Sequence, residues 1–124
     1  MNTVSNARPG TGESPLMLLV ESRSPWESGD VGDFLDMARC LLASGNAVHL
    51  HLIQNGVLWL RRDANALQML RSDSAGRVRI SCDEFSLAQR GIPLDLAQQH
   101  GDVWATDALV AEMAGRGVKT IWHS

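Results

Sequence analysis

The residue with the strongest claim to chemistry in this 124-residue chain is Cys82, in the run Ser81-Cys82-Asp83-Glu84. A thiol is a nucleophile only as its thiolate, and free backbone N–H groups at the first turn of a helix stabilise that anion. Ser81, followed three residues later by Glu84, fits a reciprocal capping box, which predicts a helix with Cys82 at its first position. The β-rich run Arg77–Cys82 puts the same thiol at the carboxyl end of a strand, where open α/β sheets bind ligands. Two neighbours oppose this reading. Asp83 and Glu84 raise a thiol pKa when they point at it, and a free cysteine is often a small buried hydrophobe. A packed thiol at a capped helix start therefore stands as the competing reading. Cys40, inside a helical stripe with no capping context, reads as structural.

With a strand order of 2-1-3-4-5, the binding crevice would lie between the ends of the first and third strands. The loop Glu21–Gly29 would then face Cys82, bringing Arg23, Ser24 and Trp26 to the thiol, with Arg23 offsetting the two carboxylates. His49 and His51 are two apart on a strand and share a face, but zinc takes three or four ligands and spacing shows no third. Polar residues on a half-exposed strand, or at a subunit contact, explain that pair more simply. Neither His100 nor His123 pairs with a Ser or Asp in a recognisable triad. The run Gly29-Asp30-Val31-Gly32 is too short for a phosphate loop, and Glu21 stands alone where a phospho-acceptor site needs clustered carboxylates. Trp26, Trp59, Trp104 and Trp122 are expected in the core. Val57-Leu58-Trp59-Leu60, with Arg61-Arg62 after it, is apolar enough to suggest a homo-oligomer contact.

These residues need elements to position them. Residues 1–14 are polar and rich in Gly, Asn, Ser and Thr, which predicts a flexible tail ahead of one domain over 15–124. Leu16–Val20 is an unbroken apolar run, the pattern of a strand covered on both faces. Val31, Phe34, Leu35, Ala38, Leu41 and Leu42 make a helical stripe that Asp30 can cap and Gly45 stops. Ala47–Ile53 reads as a second strand, Val57–Leu60 and Ala66–Leu70 as short helical pieces, and Asp83–Arg90 as a helix that Pro93 cannot continue. Asp102–Ala105 is a short strand. Thr106 then caps a helix whose Leu109, Val110 and Met113 face the core, and Val118–Trp122 is the last strand. This alternation predicts an α/β domain, a mostly parallel sheet with helices on both faces.

Composition removes several classes. A formal charge of -3 and scattered arginines leave no basic footprint for direct nucleic-acid binding. No apolar run approaches the 20 or so residues a membrane span requires, and no secretory signal is visible, so the expected location is cytoplasmic. Two cysteines do not make a disulfide framework, and free thiols are expected. No residue pattern calls for a cofactor or a metal.

Three segments carry a family resemblance: Arg23-Ser24-Pro25-Trp26, Gln54-Asn55-Gly56-Val57, and Val78–Gly91 with its Cys82 and Arg90-Gly91. Over about Leu16–Trp122 the chain resembles the DsrE/DsrF/DsrH family of sulfur-relay proteins, which includes the Tus proteins of tRNA thiolation. The first two segments are similar to the DsrH/TusB branch, the third to the DsrE/TusD branch, where a cysteine at this strand end passes sulfur as a persulfide. Asp83-Glu84 departs from the latter and is more like the DsrH/TusB type, which often lacks the cysteine. The resemblance implies a three-layer flavodoxin-like fold with four to five strands, assembly into trimers or hexamers, and sulfur donor and acceptor proteins as partners. It implies a sulfurtransferase-like carrier that holds sulfane sulfur on Cys82, with Arg23, Ser24, Trp26 and Ser81 lining the site. A non-catalytic subunit or scaffold of such an assembly, or a small-ligand binding module, is the alternative.

Overall fold

The computed structural model describes residues 15–27, 31–62 and 64–123. The expected tail over 1–14 and the expected cap Asp30 lie outside the described residues. Five strands form the sheet: β1 (Leu16–Glu21), β2 (Val48–Leu52), β3 (Val78–Asp83), β4 (Asp102–Trp104) and β5 (Val118–His123). All four pairings are parallel, and the order is β4-β3-β2-β1-β5. The order 2-1-3-4-5 is therefore overturned. β2 lies between β1 and β3, so the loop after β1 does not adjoin the end of β3.

Strand alternation sends successive side chains to opposite faces. Met17 and Leu19, Leu50 and Leu52, and Ile80 and Cys82 share the main core. They pack there with Phe34, Leu35, Ala38 and Leu42 of α1 (Val31–Ala43). After β2 come a 3₁₀ turn (Gln54–Leu58), α2 (Trp59–Arg62) and α3 (Ala64–Asp73), whose Leu67 and Leu70 join the same core. α4 (Glu84–Gln89) and α5 (Leu94–Gln98) follow β3 and add Leu87 and Ala97. The chain thus steps outward from β1 to β4 with these helices on one face. α6 (Thr106–Met113) then returns across the other face to β5, where Leu109 packs on Leu18, Val20 and Ile53. The result is a three-layer flavodoxin-like α/β/α arrangement with unequal layers. No helix among the described residues is long and apolar enough to cross a membrane.

Several local expectations change. Pro93 starts a helix as well as ending one: with φ of -62° it is the N-cap of α5, an element the sequence reading left out. Ala105, not Thr106, occupies the N-cap of α6. Val110 and Met113 are exposed, so α6 buries a single side of one turn. Among the tryptophans only Trp59 is fully buried, whereas Trp26 is 55% and Trp122 42% exposed. Val57, Trp59 and Leu60 all lie in the core, so that segment does not form an outward contact surface. Its apolar density reflects a turn packed against the sheet.

Candidate functional site

Cys82 is the penultimate residue of β3, on the main-core face, with 0% of its surface exposed. Burial pushes its thiol up to about 12, and the Asp102 carboxylate adds to the shift. It is not the first residue of a helix. Asp83 is the N-cap of α4: its Oδ2 accepts from Ser86 N at 2.9 Å and from Ser86 Oγ at 2.7 Å. Its Oδ1 accepts from Thr106 Oγ1 at 2.8 Å. The capping box read from Ser81 and Glu84 is therefore displaced by two residues. An Asp caps as well as a Ser, and the strand runs on through Asp83. Connections leave β3 and β4 toward opposite faces, which is where an open sheet parts into a crevice. The Asp83–Thr106 bond fills that place.

Ser81 points to the other face, into a buried polar array. His49 Nδ1 lies 2.7 Å from Glu112 Oε2, His49 Nε2 is 2.7 Å from Ser81 Oγ, and His51 Nδ1 is 2.6 Å from the same oxygen. With Glu112 ionised, the protons can be placed in one way for neutral rings. His49 Nδ1–H donates to Glu112, Ser81 Oγ–H donates to His49 Nε2, and His51 Nδ1–H donates to Ser81. His51 Nε2 is then unprotonated, and it has no hydrogen-bond partner among the described residues. The Trp104 ring roofs both imidazoles, with centroids 4.8 Å from His49 and 5.8 Å from His51. Burial is the leading cause that lowers both histidine pKa values, His51 to about 4. A carboxylate, an imidazole and a hydroxyl in this order resemble a nucleophile chain. Here, however, His49, His51 and Ser81 are fully buried, so no substrate reaches Ser81. The expectation that Ser81 contacts substrate beside Cys82 is overturned: the two side chains lie on opposite faces. His49 and His51 are equally far from the half-exposed pair expected, and no metal-binding group of three or more ligands occurs among the described residues.

The three sequence segments singled out above converge elsewhere. Arg23, Gln54, Asn55 and Arg90, with Ser22, Glu27 and Gln89, line one open polar cleft of about 560 Å³. Arg23 therefore faces this cleft and not Cys82. Its carbonyl accepts from Trp59 Nε1 at 3.0 Å, and its backbone N–H donates to Glu21 Oε2 at 3.0 Å. Glu21 is itself buried and bonded to His123 Nδ1 at 2.8 Å; burial raises its pKa, against the lowering effect of that bond. Ser24 is buried, its N–H donating to Glu27 Oε1 at 2.8 Å, so it lines no site. Trp26 lies outward and shields no thiol.

Local geometry explains the glycine of the Gln54-Asn55-Gly56 segment. Gln54 sits at φ of 55°, a strained conformation outside glycine, and its N–H donates to Ser86 Oγ at 2.8 Å. A Cβ on Gly56 would collide with the Glu21 carbonyl oxygen, so only glycine lets the turn close on β1. Arg90 Nε and Nη2 donate to Asn55 Oδ1 at 3.1 and 2.9 Å, and Nη1 to the Ser86 carbonyl at 3.3 Å. Sequence reasoning quoted Asn55 and Arg90 as family markers without giving them a role. Glu112 it missed and His123 it set aside: the first is brought to His49 by a helix crossing, the second to Glu21 by pairing of β5 with β1.

No protein-family model matches the chain, and no curated protein matches it. Solved structures do. The ychN protein from E. coli superposes with a TM-score of 0.65 at 19% identity, over 88% of this chain and 100% of that one. MTH1491 from Methanobacterium thermoautotrophicum, a protein of unknown function, gives 0.67 at 19% identity, over 90% and 100%. BT1422 from Bacteroides thetaiotaomicron, also of unknown function, gives 0.65 at 11% identity, over 86% and 94%. The likeness is one of fold.

Proposed function

We propose that this chain is a binding subunit of a sulfur-relay-type assembly, working through the cleft at the strand ends and leaving persulfide chemistry to another chain. The observation that carries this reading is the separation of the two features the sequence had joined. The thiol is enclosed in the main core, while Arg23, Gln54, Asn55 and Arg90 of the family-like segments line an open cleft. Sulfur exchange requires an accessible thiolate, and a thiol pushed up to about 12 supplies almost none at neutral pH. The Arg23-Ser24-Pro25-Trp26 and Gln54–Val57 segments, with Asp83-Glu84 after the cysteine, side with the DsrH/TusB-like branch, which often lacks the reactive cysteine. On this reading the chain works in the cytoplasm, in a trimer or hexamer, beside donor and acceptor proteins.

The test is to incubate the native protein with a persulfide donor, weigh it intact and map the added sulfur. Cys82 should stay unmodified, any added sulfur residing on exposed Cys40. Sulfane sulfur on Cys82, lost in Cys82→Ser, would restore the carrier role.

A further inference from the structure

We propose that the strand-end cleft holds a small molecule by an oxyanion group, gripped by Arg90; this rests on the binding-subunit reading and specifies its ligand. Arg90 is held at three of its five N–H donors, two to Asn55 and one to the Ser86 carbonyl. Both acceptors are neutral oxygens, and no carboxylate pairs with Arg90 among the described residues. Its charge is thus fixed in place and paired with no carboxylate, with two of its N–H donors left over for an oxyanion.

The surroundings add to the case. Cleft-lining Glu27 has its carboxylate engaged by the backbone N–H of Ser24 and by the side chain of Asn55. Arg23 stands on the same cleft, beside the Glu21 and Glu27 carboxylates, so Arg90 is the cation the cleft offers a ligand. Gln54 and Gln89 add neutral amide groups able to donate. The volume of about 560 Å³ exceeds a bare anion and suits an oxyanion head with a small organic body. The frame is rigid where it must be. Gln54 is tied to Ser86, Ser86 to the Asp83 cap, and Asn55 to Arg90, so the donors are aligned before any ligand arrives.

Nuclear magnetic resonance titration with inorganic phosphate, methanesulfonate and acetate, each against sodium chloride at equal ionic strength, tests this. At least one oxyanion should give saturable shifts at the amides of Gln54, Asn55, Gln89 and Arg90, with an affinity of order 1 mM for so small a probe. The strongest arm identifies the head group. Arg90→Gln should weaken binding about tenfold or more. Asn55→Ala keeps every charge but releases the guanidinium, and should weaken binding several-fold, so a poorly folded Arg90 variant does not blunt the test. Shifts matched by chloride, or binding unchanged in both variants, would overturn the proposal. The binding-subunit reading is judged separately, by sulfur loading at Cys82.

Discussion

Thr106 Oγ1 donates a hydrogen bond of 2.8 Å to Asp83 Oδ1, joining the start of α6 to the end of β3 where the chain's connections part to opposite faces. One carboxylate therefore caps α4, holds Ser86 and anchors the single helix on the smaller layer.

Asp83→Ala removes three hydrogen bonds to a buried carboxylate at once. We expect a loss of about 2–4 kcal/mol in urea or guanidinium unfolding. Glu84→Ala should change stability by less than about 0.5 kcal/mol, because Glu84 is exposed and caps nothing. Equal losses in the two variants would reinstate the capping box expected from the sequence.

The cysteines should differ sharply. At about pH 8, a thiol reagent should label exposed Cys40 quickly and Cys82 only when the protein unfolds. Cys82→Ser puts a hydroxyl into the main core and should cost about 1–3 kcal/mol, whereas Cys40→Ser should be nearly neutral. Counting labelled thiols with and without denaturant checks the first point, and unfolding curves check the second.

Acid should loosen the histidine array. His51 titrates at about 4 in the folded chain against 6.5 when unperturbed. Between those values the unfolded state binds the extra proton, so stability rises with pH there. The contribution is present above 6.5 and is lost as pH falls toward 4, amounting to roughly 3 kcal/mol at 1.36 kcal/mol per pH unit. Burial lowers His49 in the same direction. Unfolding curves collected across this interval should show the slope, and His51→Leu should flatten it even though it gives up the bond to Ser81. A slope unchanged by His51→Leu would place the acid sensitivity elsewhere.

Glycine substitutions separate a structural demand from a spare position. Gly56→Ala drives its methyl into the Glu21 carbonyl and should destabilise by about 2 kcal/mol or more, with shifts reaching Arg23. Gly32→Ala meets nothing within 4 Å in the first turn of α1 and should stabilise by about 0.5–1 kcal/mol. Thermal melts of the two variants, side by side, decide this.

The layers of the fold were legible because period-2 and period-3.6 patterns are local. Leu16–Val20 and the Val31–Leu42 stripe announce a covered strand and the helix packed on it. Strand order was not legible: nothing in the residues around Cys82 says that β2, and not β1, lies beside β3. The same lack of long-range information misplaced the site. Arg23, Gln54 and Arg90 were visible as motifs, but only the folded order shows that they meet one another and not the thiol. A buried sulfur on one face and a hydroxyl on the other differ by one residue in register, and the sequence reading set Ser81 and Cys82 side by side.

Pairing of β1 with β5 has a consequence for biogenesis. Ser22 and Glu21 find His123 across separations of 101 and 102 residues. The most apolar strand, made first, therefore keeps a bare edge while nearly all the rest of the described chain is synthesised. Closure over such a span is slow, and the waiting edge invites pairing with other nascent chains. A chain truncated before β5 should therefore aggregate more readily than the full chain, because its exposed edge is the more apolar β1.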